Sequence, residues 1–267
     1  MELEFLVSTV NRKSFHFLRK MFPSDFGKVK ILCINQYIGI TVEKNLITPK
    51  NVRCISVAEK GISKSRNLAI ANSRADICVV SDDDLVYHSN SNEIIKNVYE
   101  KEDKLDVAVF QILTPEGKLY KKYKKNQLDI NSPYKAMQVS SVEITFRRKS
   151  IMENNIRFNE KFGLGTKYPK GEETLFINEC RKKGLKIKYY PIPIVTHPQE
   201  SSGKTFSKGH ILADGIIYTK LYSAFGVLFS VYFSIKRYRR YRIQFSFFNY
   251  LLLSLKGNVD GLFRKDL

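Results

Sequence analysis

Three consecutive aspartates, Asp82, Asp83 and Asp84, directly follow a short apolar run at residues 77–81. Adjacent carboxylates repel one another, so the cluster is costly unless cations neutralise it. At the end of a buried strand, carboxylates two positions apart can bind a hard divalent cation that also binds nucleotide phosphates. A solvated acidic turn or a helix start is the alternative. The cluster therefore favours a Mg²⁺ or Mn²⁺ site that holds a nucleotide diphosphate.

A segment rich in basic and amide side chains lies upstream of the aspartates. Gly61 opens a stretch with helix-like apolar spacing, and Ser63 is a candidate N-cap. Lys64, Arg66 and Asn67 fall in the first turns of this helix, where they suit a diphosphate or the edge of a uracil. An exposed polar helix face is the alternative, above all for Lys64.

An acidic pair, Glu172 and Glu173, follows a glycine-containing loop at residues 159–171 and begins a predicted helix at 172–183. Transfer of a group from a nucleotide diphosphate to a hydroxyl needs a cation to neutralise the leaving diphosphate, which a metal at Asp84 would provide. It also needs a carboxylate that accepts the proton of the attacking hydroxyl, and the acidic pair suits that role. Stabilisation of the helix N-terminus is the alternative.

Apolar runs and helix-like segments alternate over the first hundred residues. Strands are expected at residues 3–9, 29–35, 52–57 and 77–81, with helices near 15–21 and after Gly61. This alternation predicts an α/β domain with a mostly parallel central sheet flanked by helices. Such sheets bind ligands beyond the carboxyl ends of their strands. Thr9, Asn11 and Asn35 follow strand ends and should converge there with the aspartates.

The middle of the chain predicts shorter strands. Apolar runs at residues 107–113 and 118–123 flank a Thr-Pro-Glu-Gly turn and indicate a hairpin. Further strands are expected at residues 142–148, 186–190 and 194–196, and the last leads to His197.

The ordered segments resemble glycosyltransferase family 2 and its GT-A fold. The matching stretches are LVSTVNR, GISKSRNLAI, VVSDDDLVY with a DxD-type motif, FNEKFGLGTKYPKGEETLF with the acceptor loop and "ED" motif, and IVTHP. The resemblance covers about residues 1–200. A single DxD is a weak signal, whereas four or five motifs in this order are a specific one.

The resemblance implies a role for each matching residue. The implied nucleotide-sugar contacts are Thr9, Asn11, Asn35, Arg66, Asp82 and Asp83, and the helix position adds Lys64. Asp84 would bind the metal. His197 would be a further metal or diphosphate ligand, and a loop histidine with structural contacts alone is the alternative. Glu173 would be the catalytic base, with Glu172 contacting the acceptor. The chain departs from the family in having Glu rather than Asp as the base, and Asn35-Gln36 where an acidic residue is usual.

The formal net charge of +19 suggests a polyanionic partner. No helix-turn-helix, zinc-finger or RNP-type signature accompanies it, so nucleic acid is not expected. Much of the charge lies at residues 117–126 and 234–242. The second stretch carries five cations between apolar flanks, Lys236, Arg237, Arg239, Arg240 and Arg242. It suits an anionic membrane surface, and a buried helical pair with a basic outer side is the alternative.

The apolar flanks at residues 221–235 and 245–255 are shorter than the roughly 20 residues that a spanning helix needs. The N-terminus has no basic start followed by a long apolar stretch, so no signal peptide is expected. The four cysteines lack metal or redox spacing and are expected to be reduced thiols. These features together predict a cytoplasmic protein, peripheral at the inner face of the cell membrane.

The chain is therefore expected to have a GT-A catalytic domain at residues 1–204 and a helical, basic and aromatic region at 205–267. Residues 1–105 would bind the nucleotide sugar, and 106–204 the acceptor. The expected activity is inverting transfer from a UDP- or other NDP-sugar to a growing surface glycan or a polyprenyl-linked glycan.

Two alternatives remain. A nucleotidyltransferase of related fold should carry a glycine-rich basic loop after its first strand, and STVNRKSF has no glycine. A non-catalytic basic module that binds membranes or polyanions would not bind nucleotide diphosphate with a metal. The sequence predicts no oligomeric state.

Overall fold

The computed structural model describes residues 1–41, 48–198, 206–264 and 267. Within those residues the strands form a single nine-stranded sheet. They are β1 (Leu3–Val10), β2 (Lys30–Gln36), β3 (Val52–Val57), β4 (Ile77–Asp82), β5 (Val86–Tyr87), β6 (Val107–Leu113), β7 (Leu128–Asp129), β8 (Ile144–Arg147) and β9 (Ile187–Thr196). Their order across the sheet is β3-β2-β1-β4-β8-β6-β9-β5, and β7 pairs with β9.

The half of the sheet built by β1 to β4 is parallel. Its register sets Thr9 beside Asn35 and Ser8 beside Asp82, so the predicted site residues share one edge. β8 is antiparallel to both β4 and β6, whereas β6 and β9 are parallel. The predicted α/β fold with a mostly parallel central sheet is confirmed.

Helices cover both faces of this sheet. They are α1 (His16–Met21), α2 (Ile62–Asn72), α3 (Ser91–Lys101), α4 (Pro133–Ala136), α5 (Arg148–Glu153), α6 (Glu172–Lys182), α7 (Lys208–Tyr222), α8 (Gly226–Lys236), α9 (Tyr238–Tyr241) and α10 (Phe247–Phe263). Phe5 belongs to a core layer with Leu18 and Tyr99, whereas its neighbour Leu6 packs in the opposite layer with Phe176. Because both faces are covered, β1 is buried along almost its whole length, from Leu3 to Thr9.

Three local expectations differ from the structure. The turn at Thr114 forms, but after it only Leu119 makes a bridge to Leu113, so the second arm of the hairpin is not a strand. Residues 186–190 and 194–196 belong to one continuous strand, β9. The N-cap of α2 is Gly61, and Ser63 instead donates a hydrogen bond to the carbonyl of Phe162. Ser63 therefore fastens the helix to the loop that precedes α6.

The C-terminal region is helical, as expected, and the predicted boundary at residues 204–205 lies outside the described residues. A helical run at Lys208–Lys236 is long and apolar enough to cross a membrane by length and composition alone, with a mean hydropathy of 1.4. The sequence predicted that the apolar runs in this region are too short to span a membrane. That prediction is wrong as to length, because a 3-10 turn at Ser223–Phe225 joins α7 and α8 into one longer helical run. Ser223 has a φ of 54°, so the two helices are not one regular helix.

Two further expectations concern Arg237 and the cysteines. Arg237 was expected among the basic side chains that face an anionic surface. In the structure it is largely buried and pairs with Asp214 at 2.8 Å, so it holds α8 against α7 instead. The four cysteines are free, three of them buried and Cys54 partly exposed.

Candidate functional site

A crevice of about 720 Å³ opens at the carboxyl edge of the parallel strands. Its walls come from the end of β1, the start of α2, the aspartate cluster after β4 and the start of α6. The predicted site residues among its lining are Thr9, Arg66, Asp82, Asp83, Asp84, Glu172, Glu173 and His197. The fold therefore brings together eight of the eleven residues predicted from the sequence.

Arg66 lies between the two acidic motifs and connects them. Its Nη2 is 3.0 Å from Asp82 Oδ1, and its Nη1 is 2.8 Å from Glu172 Oε1. The guanidinium also stacks over the ring of Phe158 and is almost fully buried. A buried guanidinium stays charged, so it requires such partners to offset the cost of its desolvation. The pairing fixes the aspartate cluster and the first turn of α6 at the two ends of one side chain.

Asp83 is held by neighbours on β1 and the loop that follows. Thr9 donates a hydrogen bond to its carboxylate, and Arg12 Nη2 lies 2.8 Å from the same oxygen. Asp83 also lines the crevice. Thr9 and Arg12 both contact its Oδ2, and Oδ1 takes no part in these two contacts. Arg12 was not predicted from the sequence, although it stands in the LVSTVNR segment one residue after Asn11.

Asp84 and His197 face one another across the crevice mouth. His197 Nε2 is 3.7 Å from Asp84 Oδ1, and the other ring nitrogen, Nδ1, lies within hydrogen-bond distance of the Pro198 carbonyl. A carbonyl can only accept, so Nδ1 is the donor to Pro198 and Nε2 is the ring nitrogen that faces the carboxylate. Burial raises the pKa of Asp84, and Asp82 and Asp83 raise it further, with His197 opposing them. A cation bound at Asp84 would relieve the repulsion among these three carboxylates.

This pair offers a divalent metal only part of its coordination. Across the residues that the structure describes, no group of three or more His, Cys, Asp or Glu side chains could hold a metal ion. Asp84 and His197 would therefore need oxygens of a bound diphosphate as further ligands, which is how Mg²⁺ is commonly held in nucleotide sites. The donor set fits a metal that binds together with the nucleotide.

Glu173 is the carboxyl of the acidic pair that is not engaged by Arg66. Burial raises the pKa of Glu173 to about 8, and repulsion from Glu172 adds to that rise. Glu172 is buried, paired with Arg66, and packed under Gly163, where a side chain would meet its carboxylate at about 3 Å. Glu172 thus positions the loop, and Glu173 is the group able to exchange a proton in the crevice.

Three predicted nucleotide contacts lie outside the lining of the crevice. Asn35 is fully buried, and its amide bonds the backbone of Arg12 in both directions, so it shapes the loop after β1. Asn11 bonds the backbone of Ile38 in the same way. Lys64 lies in a separate depression beside Asn67. In this structure Asn35 and Asn11 position the crevice rim rather than line it.

The loop before α6 contains glycines with positive φ, and the sequence analysis already noted that this loop is glycine-containing. Gly171 caps α6 with a φ of 87°, and a Cβ there would meet Ile217 of α7 at 2.1 Å. Lys170, beside it in the crevice, pairs with Asp214 of α7 at 2.6 Å. The C-terminal helices therefore support the acceptor loop directly, which the sequence did not indicate.

The fold and the crevice can be compared with those of known proteins. The sheet and the acidic edge define a GT-A-type transferase fold. Residues 41–166 match the model of glycosyl transferase family 2. This match confirms the resemblance to that family over residues 41–166. A search of curated proteins found no match.

Solved structures of similar fold include the protein TarS of S. aureus. TarS 1–349 has 11% sequence identity and a TM-score of 0.64, covering 100% of this chain and 82% of that one. The same fragment in complex with UDP-GlcNAc has 13% identity and a TM-score of 0.65, covering 98% and 82%. A longer TarS chain has 12% identity and a TM-score of 0.63, and this protein spans 50% of its length. At such identities the likeness concerns the fold alone.

Proposed function

We propose that this chain transfers a sugar from a nucleoside diphosphate sugar, with UDP-sugar as the first candidate, to a hydroxyl of a growing glycan. The observation that carries the proposal is the link through Arg66. It joins the aspartate cluster at Asp82 to the acidic pair at Glu172, so a nucleotide site and a proton acceptor share one crevice. Structures of the TarS fragment of similar fold are complexes with UDP-GlcNAc and with UDP, which favours uridine nucleotides as the first ones to test.

The donor half of the crevice would hold the nucleotide through Thr9, Asp82 and Asp83. Asp84 and His197 would hold a divalent metal, Mg²⁺ or Mn²⁺, together with the bound diphosphate. When bound it would supply neutralising charge to the leaving diphosphate. Arg66 adds a fixed positive charge within the same wall, and its burial means that its position costs no reorganisation during the reaction.

The acceptor half would supply the base. The acceptor hydroxyl attacks the anomeric carbon while its proton passes to Glu173, and the bond from that carbon to the phosphate oxygen breaks with its electron pair on the diphosphate. Attack from the side opposite the leaving group inverts the anomeric configuration. The raised pKa makes Glu173 a stronger base than an ordinary glutamate once it is ionised.

The acceptor is proposed to be a surface glycan, free or linked to a polyprenyl carrier, reached at the inner face of the cell membrane. The support is the basic stretch after α8, where Lys236, Arg239, Arg240 and Arg242 are exposed. Such a cluster contributes attraction to anionic lipid headgroups. The enzyme would then work as a peripheral protein beside an acceptor held in the bilayer.

The proposal is tested by thermal unfolding with a panel of nucleotides and nucleoside diphosphate sugars, each with Mn²⁺, with Mg²⁺ and with chelator. A ligand that binds the folded state raises the melting temperature by mass action. We expect one nucleotide series to stabilise the protein only with metal, and the Asp84→Ala variant to lose that effect. No stabilisation by any nucleotide would leave the chain as a basic binding module.

A further inference from the structure

The outward sides of α8 and α10 are unusually apolar for a surface in water. On the α8 side, Phe225, Leu228, Tyr232 and Ile235 are all more than half exposed, and their spacing puts them on one side of the helix. On α10 the corresponding residues are Phe248, Leu252, Val259 and Phe263. These eight residues are called the outer apolar face below. The two helices pack against each other, and large apolar patches of this kind mark interaction surfaces.

The inward sides of the same helices are small and polar. Ser230 of α8 donates to Asn258 of α10 at 2.7 Å and accepts from Ser254 at 2.8 Å. Asn258 in turn donates to the carbonyl of Gly215 on α7. The backbones approach so closely that a Cβ on Gly215 would lie 2.0 Å from the Ser254 carbonyl.

The polarity of this helical layer is therefore inverted relative to a helix pair in water. Helices in water bury their large apolar side chains and expose polar ones. Helices in lipid pack through small residues and interhelical hydrogen bonds, and they turn large apolar side chains outward. The serine and asparagine network with the outer apolar face follows the second pattern.

Charge indicates which lipid surface would cover this face. Lys236, Arg239, Arg240 and Arg242 are exposed between the end of α8 and the start of α10. The cations therefore border the apolar face at the turn that connects its two helices, where lipid headgroups would lie. Anionic headgroups complement that charge.

The packing of α7 limits how deep the layer can go. Ile211, Ala213 and Ile216 of α7 are completely buried, and Ile217 packs on Gly171 beside the crevice. Asp214 of the same helix is paired with Lys170 of the acceptor loop. If the run Lys208–Lys236 crossed a bilayer, α7 would have to leave all these contacts, so α8 and α10, and not α7, are the helices of this region that can enter lipid.

We propose that the outer apolar face enters the acyl-chain region of one leaflet of an anionic bilayer, without crossing it. The inference rests on the membrane contact stated under the proposed function and deepens it, because it makes burial of side chains in hydrocarbon a source of affinity besides charge. Its test reads lipid binding and not transfer, so either can fail while the other holds.

The first measurement is flotation of the full chain with vesicles of phosphatidylcholine alone and with phosphatidylglycerol added. The face variant is Leu228→Ser, Leu252→Ser, Phe263→Ser. The matched control is Leu119→Ser, Tyr134→Ser, Met152→Ser, three exposed apolar residues of the catalytic half. We expect the face variant to bind vesicles at least about tenfold more weakly at both low and high salt, because hydrocarbon burial is not screened. The control should bind as the wild type does, with circular dichroism confirming that both are folded.

A charge variant separates the second contribution. Lys236→Gln, Arg239→Gln, Arg240→Gln, Arg242→Gln keeps Arg237, whose pairing with Asp214 is structural. Affinity for anionic vesicles should fall by about fivefold for each cation removed at low salt. Affinity for neutral vesicles should not change. If this variant loses all binding while the face variant loses none, the contact is electrostatic only and the proposal is overturned.

Depth is measured with a fluorescent reporter, since the chain contains no tryptophan. Phe248→Trp on the outer apolar face should be quenched by lipids brominated on their acyl chains, and Tyr134→Trp on the catalytic half should not. Absence of quenching at position 248, or a stable dimer in which that tryptophan is shielded without lipid, would overturn the proposal. Retention in the bilayer after alkaline carbonate treatment would indicate a spanning segment and would overturn it as well.

Discussion

The protonation of Glu173 gives the most specific prediction about the reaction. Burial and the neighbouring Glu172 raise the pKa of Glu173 to about 8, so the carboxyl should be mostly protonated at neutral pH. A base acts only when it is ionised. The value of kcat/KM for the donor, which reports the free enzyme, should therefore rise with pH through this range.

The size of the rise in kcat/KM follows from the pKa of Glu173. Between pH 6 and pH 9 the ionised fraction of a group with pKa near 8 rises about ninetyfold, whereas an ordinary glutamate is fully ionised throughout. The assay is release of nucleoside diphosphate from the donor, measured at constant ionic strength with the metal held saturating. Glu172→Gln removes the repelling neighbour, so it should move the rise to lower pH. A profile flat from pH 6 to 9 in the wild type would refute the reasoning.

The remaining predictions concern single side chains. Asp84→Ala should lose metal-dependent binding of UDP in calorimetry while its circular dichroism stays that of the wild type, and unchanged affinity would move the metal elsewhere. Glu173→Gln should bind the donor normally but turn over about 10²-fold more slowly, the usual scale for a general base, and near-normal turnover would make Glu172 the next candidate. Asp214→Ala should lower the free energy of unfolding in urea by about 3 kcal/mol, because two largely buried cations lose their partner. The exposed Asp103→Ala serves as its control, and equal effects of the two would contradict a structural role for Asp214.

Much of the fold could be predicted because its signals are local. The strands at Leu3–Val10 and Val52–Val57 are short apolar runs, and α6 begins at the acidic pair where the loop glycines end. Ordered motifs then placed the site at the carboxyl edge of the sheet, since parallel strands end on one side.

The pairings within the site could not be predicted, because they join residues far apart in the chain. Arg66 and Glu172 are separated by 106 positions, and nothing near either one indicates the other. Arg237 looked like one more exposed cation in a basic stretch, yet the fold buries it against Asp214. The amide of Asn35 could bond a base or the backbone, and only the position of Arg12 decides between them. Long-range packing rather than local pattern determines all three.

The proposed reaction cleaves a nucleotide sugar at its anomeric carbon. Phosphorus NMR tests it most directly, on the purified chain incubated with metal, with the nucleotide sugar that stabilises it most, and with membranes that carry polyprenyl-linked glycans. Glycosyl transfer should release an intact nucleoside diphosphate and attach the sugar to the membrane fraction with inverted configuration, and Glu173→Gln should slow both. Release of nucleoside monophosphate and sugar phosphate would show cleavage between the phosphorus atoms, as in a nucleotidyltransferase. That result, or a donor that stays unchanged, would contradict the account.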